Sequence, residues 1–220
     1  MTFTTEQLSN IPHTLSEPRF ATYLQHSNND PNKALELYQW NLEISSAFMT
    51  PIHLYEIVTR NAVIEPLEII YTSNWPWDRS FILSLPDPSR SYSPRQNLIN
   101  VGNDTRNSTM GKVVAELKFA FWEKMFTSRH DVRIWNPHFR SVFRHAPSSQ
   151  NIHSLREKIY NDIFAIRKLR NRIAHHEPIF TRNLQEDYDR ILELISWRDP
   201  IASDWLDSIQ KVSELLTNKP

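Results

Sequence analysis

Arg170 and His175 are the two side chains whose types and spacing most directly offer chemistry. They lie in the run Leu169-Arg170-Asn171-Arg172-Ile173-Ala174-His175-His176-Glu177-Pro178. A guanidinium presents a fixed fork of donors to anionic oxygens, and an imidazole exchanges protons near neutral pH. Together they suit contact with a phosphate and general acid–base work beside it. In a regular helix a step of five residues turns about 140° and advances about 7.5 Å, so the two side chains leave different faces. Asn171 and His175, at i and i+4, share one face.

A helix must position them. Ile152, Leu155, Ile159, Ile163, Ile166 and Ile173 recur every three or four residues, which predicts a helix from about 151 to 176. Pro178 disfavours helical backbone at Glu177, so this helix should stop near His176 and leave His175 in its last turn. The next slot of the apolar stripe falls at 170, where the sequence has arginine. An arginine facing a core or a helix seam needs an acid or a bound anion beside it. Alternatively its stem packs and its head reaches water, and His175 simply ends the helix.

Other helices follow from the same periodicity. Residues 32–49 and 51–71 read as two helices, the second starting at Pro51 with Thr50 as its N-cap. Leu54, Ile57, Asn61 and Ile64 form the stripe of the second. Asn61 is thus a polar residue in an apolar slot, next to Arg60, and Glu56 pairs with Arg60 at i, i+4. Residues 111–126, 184–196 and 200–216 also read as helices. Trp75-Pro76-Trp77-Asp78 reads as an aromatic turn, 86–110 as a long loop insertion, and 127–150 as irregular chain. No strand-like alternation of useful length occurs. The expected organisation is an all-α bundle over 31–220 with residues 1–30 as an N-terminal extension packed on it.

Composition narrows the chemistry. The two glycines cannot write a Gly-rich phosphate loop. The absence of cysteine removes disulfides, thiolate metal sites and a cysteine nucleophile. The histidine spacings match no metal motif, so no metal or other cofactor is expected. The start of the chain lacks a basic region followed by an apolar run, and no stretch is long and apolar enough for a membrane span. A cytoplasmic protein without membrane contact is the expectation. Formal charge is balanced, 25 basic against 25 acidic residues, so any positive field for a polyanion must be local. Arg156, Lys158, Arg167, Lys168, Arg170 and Arg172 supply one, against Glu157 and Asp162. Most such runs are solvated helix faces.

The run from Leu169 to Phe180 resembles the signature of the Abi-like abortive-infection proteins, a branch of the HEPN superfamily. Two further blocks are similar to that family and stand in its order: Tyr38–Asn41 with Glu56–Ala62, and Gly111–Trp122. The resemblance covers roughly residues 35–180. It implies a HEPN-like helical fold and a homodimeric, metal-independent endoribonuclease. Its products carry 2′,3′-cyclic phosphates, and its role is that of a phage-defence effector or toxin. By this resemblance Arg170 and His175 are catalytic and Asn171 orients them. Glu56, Arg60, Asn61 and His176 are expected to support the site, and for an RNA substrate Arg167, Lys168 and Arg172 of the basic run are the expected RNA contacts. Some HEPN toxins carry a modifiable tyrosine two residues after the histidine. Here that residue is Glu177, so an antitoxin, RNA or protein, would act by another route. A non-catalytic HEPN module binding RNA or nucleotides is the alternative. A third reading is a purely structural helical protein in which Arg170 is tied to Glu56.

Overall fold

The computed structural model describes residues 3–220, and it is all-helical, with no strand among the described residues. Two helices fill the N-terminal extension. α1 (Thr5–Leu15) starts from a capping box between Thr4 and Gln7, and α2 (Glu17–His26) buries Phe20 and Tyr23. Both pack against α3.

α3 (Pro31–Tyr71) is one helix of 41 residues, not two. Asp30 caps it through the amides of Asn32 and Lys33. Thr50 is exposed and caps nothing. Pro51 removes one helical hydrogen bond, which favours a break. Burial on both sides of it, at Phe48, Ile52 and Tyr55, holds the helix together. The inward face of its second half is Ile52, Tyr55, Thr59, Ala62, Val63 and Leu67. The predicted stripe is therefore displaced around the helix: Ile57 is 40% exposed and Asn61 faces solvent. The misreading arose because apolar Leu54 and Ile57 lie at the edge of the packed face.

Short helices follow: α4 (Arg79–Ser84), α5 (Pro94–Gly102), α6 (Met110–Glu116), α7 (Phe119–Met125) and α8 (Asn136–Val142). The expected loop at 86–110 thus holds α5, started by a Ser93 cap and Pro94 and anchored by buried Leu98. The expected helix at 111–126 is split where Leu117 turns extended (φ −65°, ψ 132°). Residues 127–150, read as irregular, contain α8 and a wide helical turn over Asp131–Trp135. Trp135 is fully buried there, stacked on Phe126 with ring centroids 4.4 Å apart. Trp77 donates its indole N–H to the Gly102 carbonyl. Both tryptophans pack within the fold.

α9 (Ile152–Ala174), α10 (Leu184–Arg198), α11 (Pro200–Ile209) and α12 (Val212–Thr217) complete the chain. The single helix expected over 200–216 is broken at Gln210, whose side-chain oxygen caps α12 through the Val212 and Ser213 amides. α3 is the axis of the bundle, touching α2, α7, α8, α9, α10 and α12. Among the described residues no helix is long and apolar enough to cross a membrane.

Candidate active site at the end of α9

α9 carries Arg170 and ends at its C-cap residue His175. Leu155, Ile159, Ile163, Ile166 and Leu169 are buried. Leu169, not position 170, carries the apolar stripe into the last turn. Arg170 sits at the edge of the α3–α9 contact, and its side chain is 45% exposed. Its Nε lies 3.6 Å from Glu56 Oε1 on α3. The anionic partner expected for Arg170 is therefore Glu56, met at the rim of the seam and not inside it. Glu56 also accepts a 3.0 Å hydrogen bond from Arg60 Nη2. One largely sheltered carboxylate thus serves two arginines, and the Arg60 Nε is buried without a partner among the described residues. A site with two guanidiniums around one carboxylate keeps a net positive charge, which suits an anionic ligand.

The end of the helix is built by backbone geometry. The His176 amide donates to the Ile173 carbonyl at 3.0 Å and the Glu177 amide to the Arg172 carbonyl at 2.8 Å. This crossed pair is a Schellman cap, and it places His176 in the left-handed region with φ 57°. His176 is not glycine, so the cap carries some backbone strain. Its carbonyl accepts from Arg19 on α2 at 2.9 Å, which ties the N-terminal extension to the cap. His175 is the C-cap residue, with its amide donating to the Asn171 carbonyl at 2.9 Å. Its imidazole is exposed and has no partner among the described residues. Asn171, on the same side of α9, is half-buried with a similarly free amide group.

Behind the cap the chain is held by Asn41. Its buried side-chain oxygen accepts from the Ile179 amide at 2.8 Å and from the Phe180 amide at 3.3 Å. Asn41 was not assigned a role from sequence. The available signal was a polar residue between Leu37 and Ile44 on a buried stripe.

The residues expected to bind RNA are divided. Lys168 is exposed, its Nζ 4.3 Å from the Phe164 ring centroid. Arg167 donates at 2.5 Å to the fully buried Glu123, which sequence reasoning missed. Arg172 donates at 2.5 Å to the Pro178 carbonyl and lies 3.5 Å from Glu177, so it supports the cap. Elsewhere in the patch, Arg156 is buried against Asp131 and the Phe126 carbonyl, and Lys158 is paired with Asp162 and Glu193. The positive run is thus largely compensated within the fold. Asn61 stands exposed on α3 and joins no contact of this site. Among the described residues no three histidine or carboxylate side chains gather in a metal-binding cluster.

Within one chain, then, an arginine held at the rim of a seam and an exposed histidine stand five residues apart at one helix end. No family model, curated protein or solved structure matches this chain.

Proposed function

We propose that this chain is a HEPN-type endoribonuclease of the Abi-like kind, acting as a homodimer that cuts RNA in phage defence. One observation carries the reading. Arg170 and His175 both reach solvent at the end of α9, and a five-residue step turns about 140° around a regular helix. A second copy set against this end would bring the arginine of one chain to the histidine of the other. RNA supplies the nucleophile, its own 2′-OH. His175 takes the proton from that hydroxyl or returns one to the departing 5′-oxygen. Arg170 offers its donors to the charge growing on the phosphorus-bound oxygens. The bond from phosphorus to the 5′-oxygen breaks as the 2′-oxygen bond forms, leaving a 2′,3′-cyclic phosphate and a 5′-hydroxyl. Glu56, shared with Arg60, holds Arg170 in place, and the exposed Lys168 is a cation that meets the backbone of the RNA.

The test is cleavage of RNA by the purified chain in the presence of EDTA, with end-group analysis of the products. Arg170→Ala and His175→Ala should each lose about 100-fold or more in rate. Because both side chains are exposed, each variant should stay within about 1 kcal/mol of the parent in stability. Mixing the two inactive variants should restore cleavage if the site is shared between copies. Cleavage that survives in both variants rules out this site. Binding of RNA without any cyclic-phosphate product points instead to a non-catalytic binding module. A loss of several kcal/mol in Arg170→Ala with no cleavage by the parent identifies Arg170 as a structural tie to Glu56.

A further inference from the structure

A second feature lies away from the end of α9. A groove of about 680 Å³ runs between α3 and the corner where α11 meets α12. Leu42, Ala47, Ile209 and Leu215 give it apolar walls. Leu42 is 56% exposed and Ile209 45%, so the groove is open and its apolar surface is wet. The apolar surface continues outside the groove. Trp205 and Ile201 stand one and two turns before Ile209 on α11 and are 55% and 78% exposed. Residues at i, i+4 and i+8 form one row, so α11 offers a continuous apolar edge leading into the groove. A surface of this kind, rimmed by polar residues, marks an interaction site.

The rim has a definite charge. Glu43 and Glu214 line the groove and Asp204 flanks the row on α11, against a single Lys211. None of the three carboxylates has a cationic partner among the described residues. Glu43 accepts only from the neutral amide of Gln39. Pro51 adds an acceptor. It has no N–H, so the Ala47 carbonyl in the groove wall lacks its helical donor. Surplus acceptors and uncompensated carboxylates around an apolar row call for an apolar row bordered by cations. They also oppose two other occupants. RNA would be repelled. A second copy meeting this face about a two-fold axis would set carboxylate against carboxylate.

We infer that this groove docks a basic amphipathic helix of another protein, apolar on one face and lysine- or arginine-rich on its flanks. Such a helix lays anchors at i, i+3, i+4 and i+7 into an apolar groove, and its cations meet the rim. The site stands apart from the end of α9 and is independent of the ribonuclease reading.

The test uses the full chain without RNA and two fluorescein-labelled peptides, each of about 18 residues to hold a helix. One carries leucine along one face and lysine elsewhere. The other replaces every lysine with glutamate. The lysine peptide should bind, with affinity falling as salt rises. It should bind about tenfold or more weakly to Ile209→Glu, and likewise to the double variant Glu43→Lys with Glu214→Lys. The positions altered are exposed, and the comparison of the two peptides on the unaltered chain does not depend on any variant folding. Equal binding of both peptides, binding of neither, or indifference to Ile209→Glu overturns the inference. So does a concentration-dependent dimer that Trp205→Ala dissolves, which would assign the row to a second copy.

Discussion

Arg167 on α9 donates through Nε to Oε2 of Glu123 on α7 at 2.5 Å, and Glu123 is fully buried. Lys124 takes the other carboxylate oxygen at 2.9 Å. Two cations at the surface therefore neutralise one carboxylate inside an aromatic helix, and α9 is locked to α7 through its middle. Arg167 belongs to the fold before it belongs to any RNA.

Removing Arg167 should therefore cost stability. Breaking a buried pair from one side typically costs about 3–5 kcal/mol, because the remaining charge is stranded. Lys124 stays in place, so Arg167→Ala should lie near the lower end, about 3 kcal/mol, in urea unfolding. Glu123→Leu combined with Arg167→Met should recover most of that loss, since no charge is left buried. A single Arg167→Ala variant that unfolds at the parent's urea midpoint would show that Lys124 alone satisfies Glu123.

The same pair shows where sequence reading stops. The class of fold was legible, because helical periodicity at 151–176 and 184–196 is a local signal carried by spacing alone. Helix boundaries were not. Pro51 reads as a start, and only the burial of Phe48, Ile52 and Tyr55 on other elements reveals a continuous helix. The arginine at 170 was visible as a break in a stripe, and its need for an acid was met by Glu56. Its depth was not visible, because Leu169 took the buried slot and left Arg170 at the rim. Asn61 was misplaced for the same reason in reverse. Which cations were free was beyond reach, since Glu123, Asp131 and Glu193 lie far from their partners in sequence. The apolar groove between α3 and α11 needs the tertiary fold to exist at all.

Asn41 offers a sharper probe of what holds the end of α9. Its side chain accepts from two buried amides, those of Ile179 and Phe180. An apolar replacement leaves both donors unsatisfied, at about 1–3 kcal/mol each. Asn41→Leu should lose about 3 kcal/mol in chemical unfolding, and Asn41→Asp, which keeps the acceptor, should lose less. Hydrogen exchange at Ile179 and Phe180 should quicken selectively in Asn41→Leu. If ribonuclease activity depends on the placement of His175, the same variant should lower it without touching either Arg170 or His175. Unchanged exchange at both amides would remove Asn41 from this role.

His176 tests the cap itself. It holds φ 57°, where a side chain is crowded and glycine is not. The Schellman bonds and the Arg19 contact use only its backbone. His176→Gly should therefore stabilise the chain by about 0.5–1 kcal/mol in thermal or urea unfolding. His176→Val should destabilise it. Cleavage should survive His176→Gly if the residue supports the site through its backbone, and fall if its imidazole takes part.

His130 sets the response of the fold to acid. It is 4% exposed, and its Nε2 has no hydrogen-bond partner among the described residues. Burial, reinforced by Arg129 and Arg133, lowers its pKa from 6.5 to about 4, with Asp131 opposing weakly. The folded protein therefore keeps this ring neutral where the unfolded chain already binds a proton. The stabilisation is fully present above about pH 6.5 and is lost as pH falls toward about 4. Across that window the loss from this one group is about 3 kcal/mol. The comparison that isolates it is unfolding of the parent and of His130→Leu at about pH 7 and about pH 4.5. The carboxylates and the other histidines titrate in both proteins and cancel. The parent should lose about 2 kcal/mol more than the variant over that interval. Equal losses would mean that the ring is protonated in the fold, which requires an acceptor to reach Nε2.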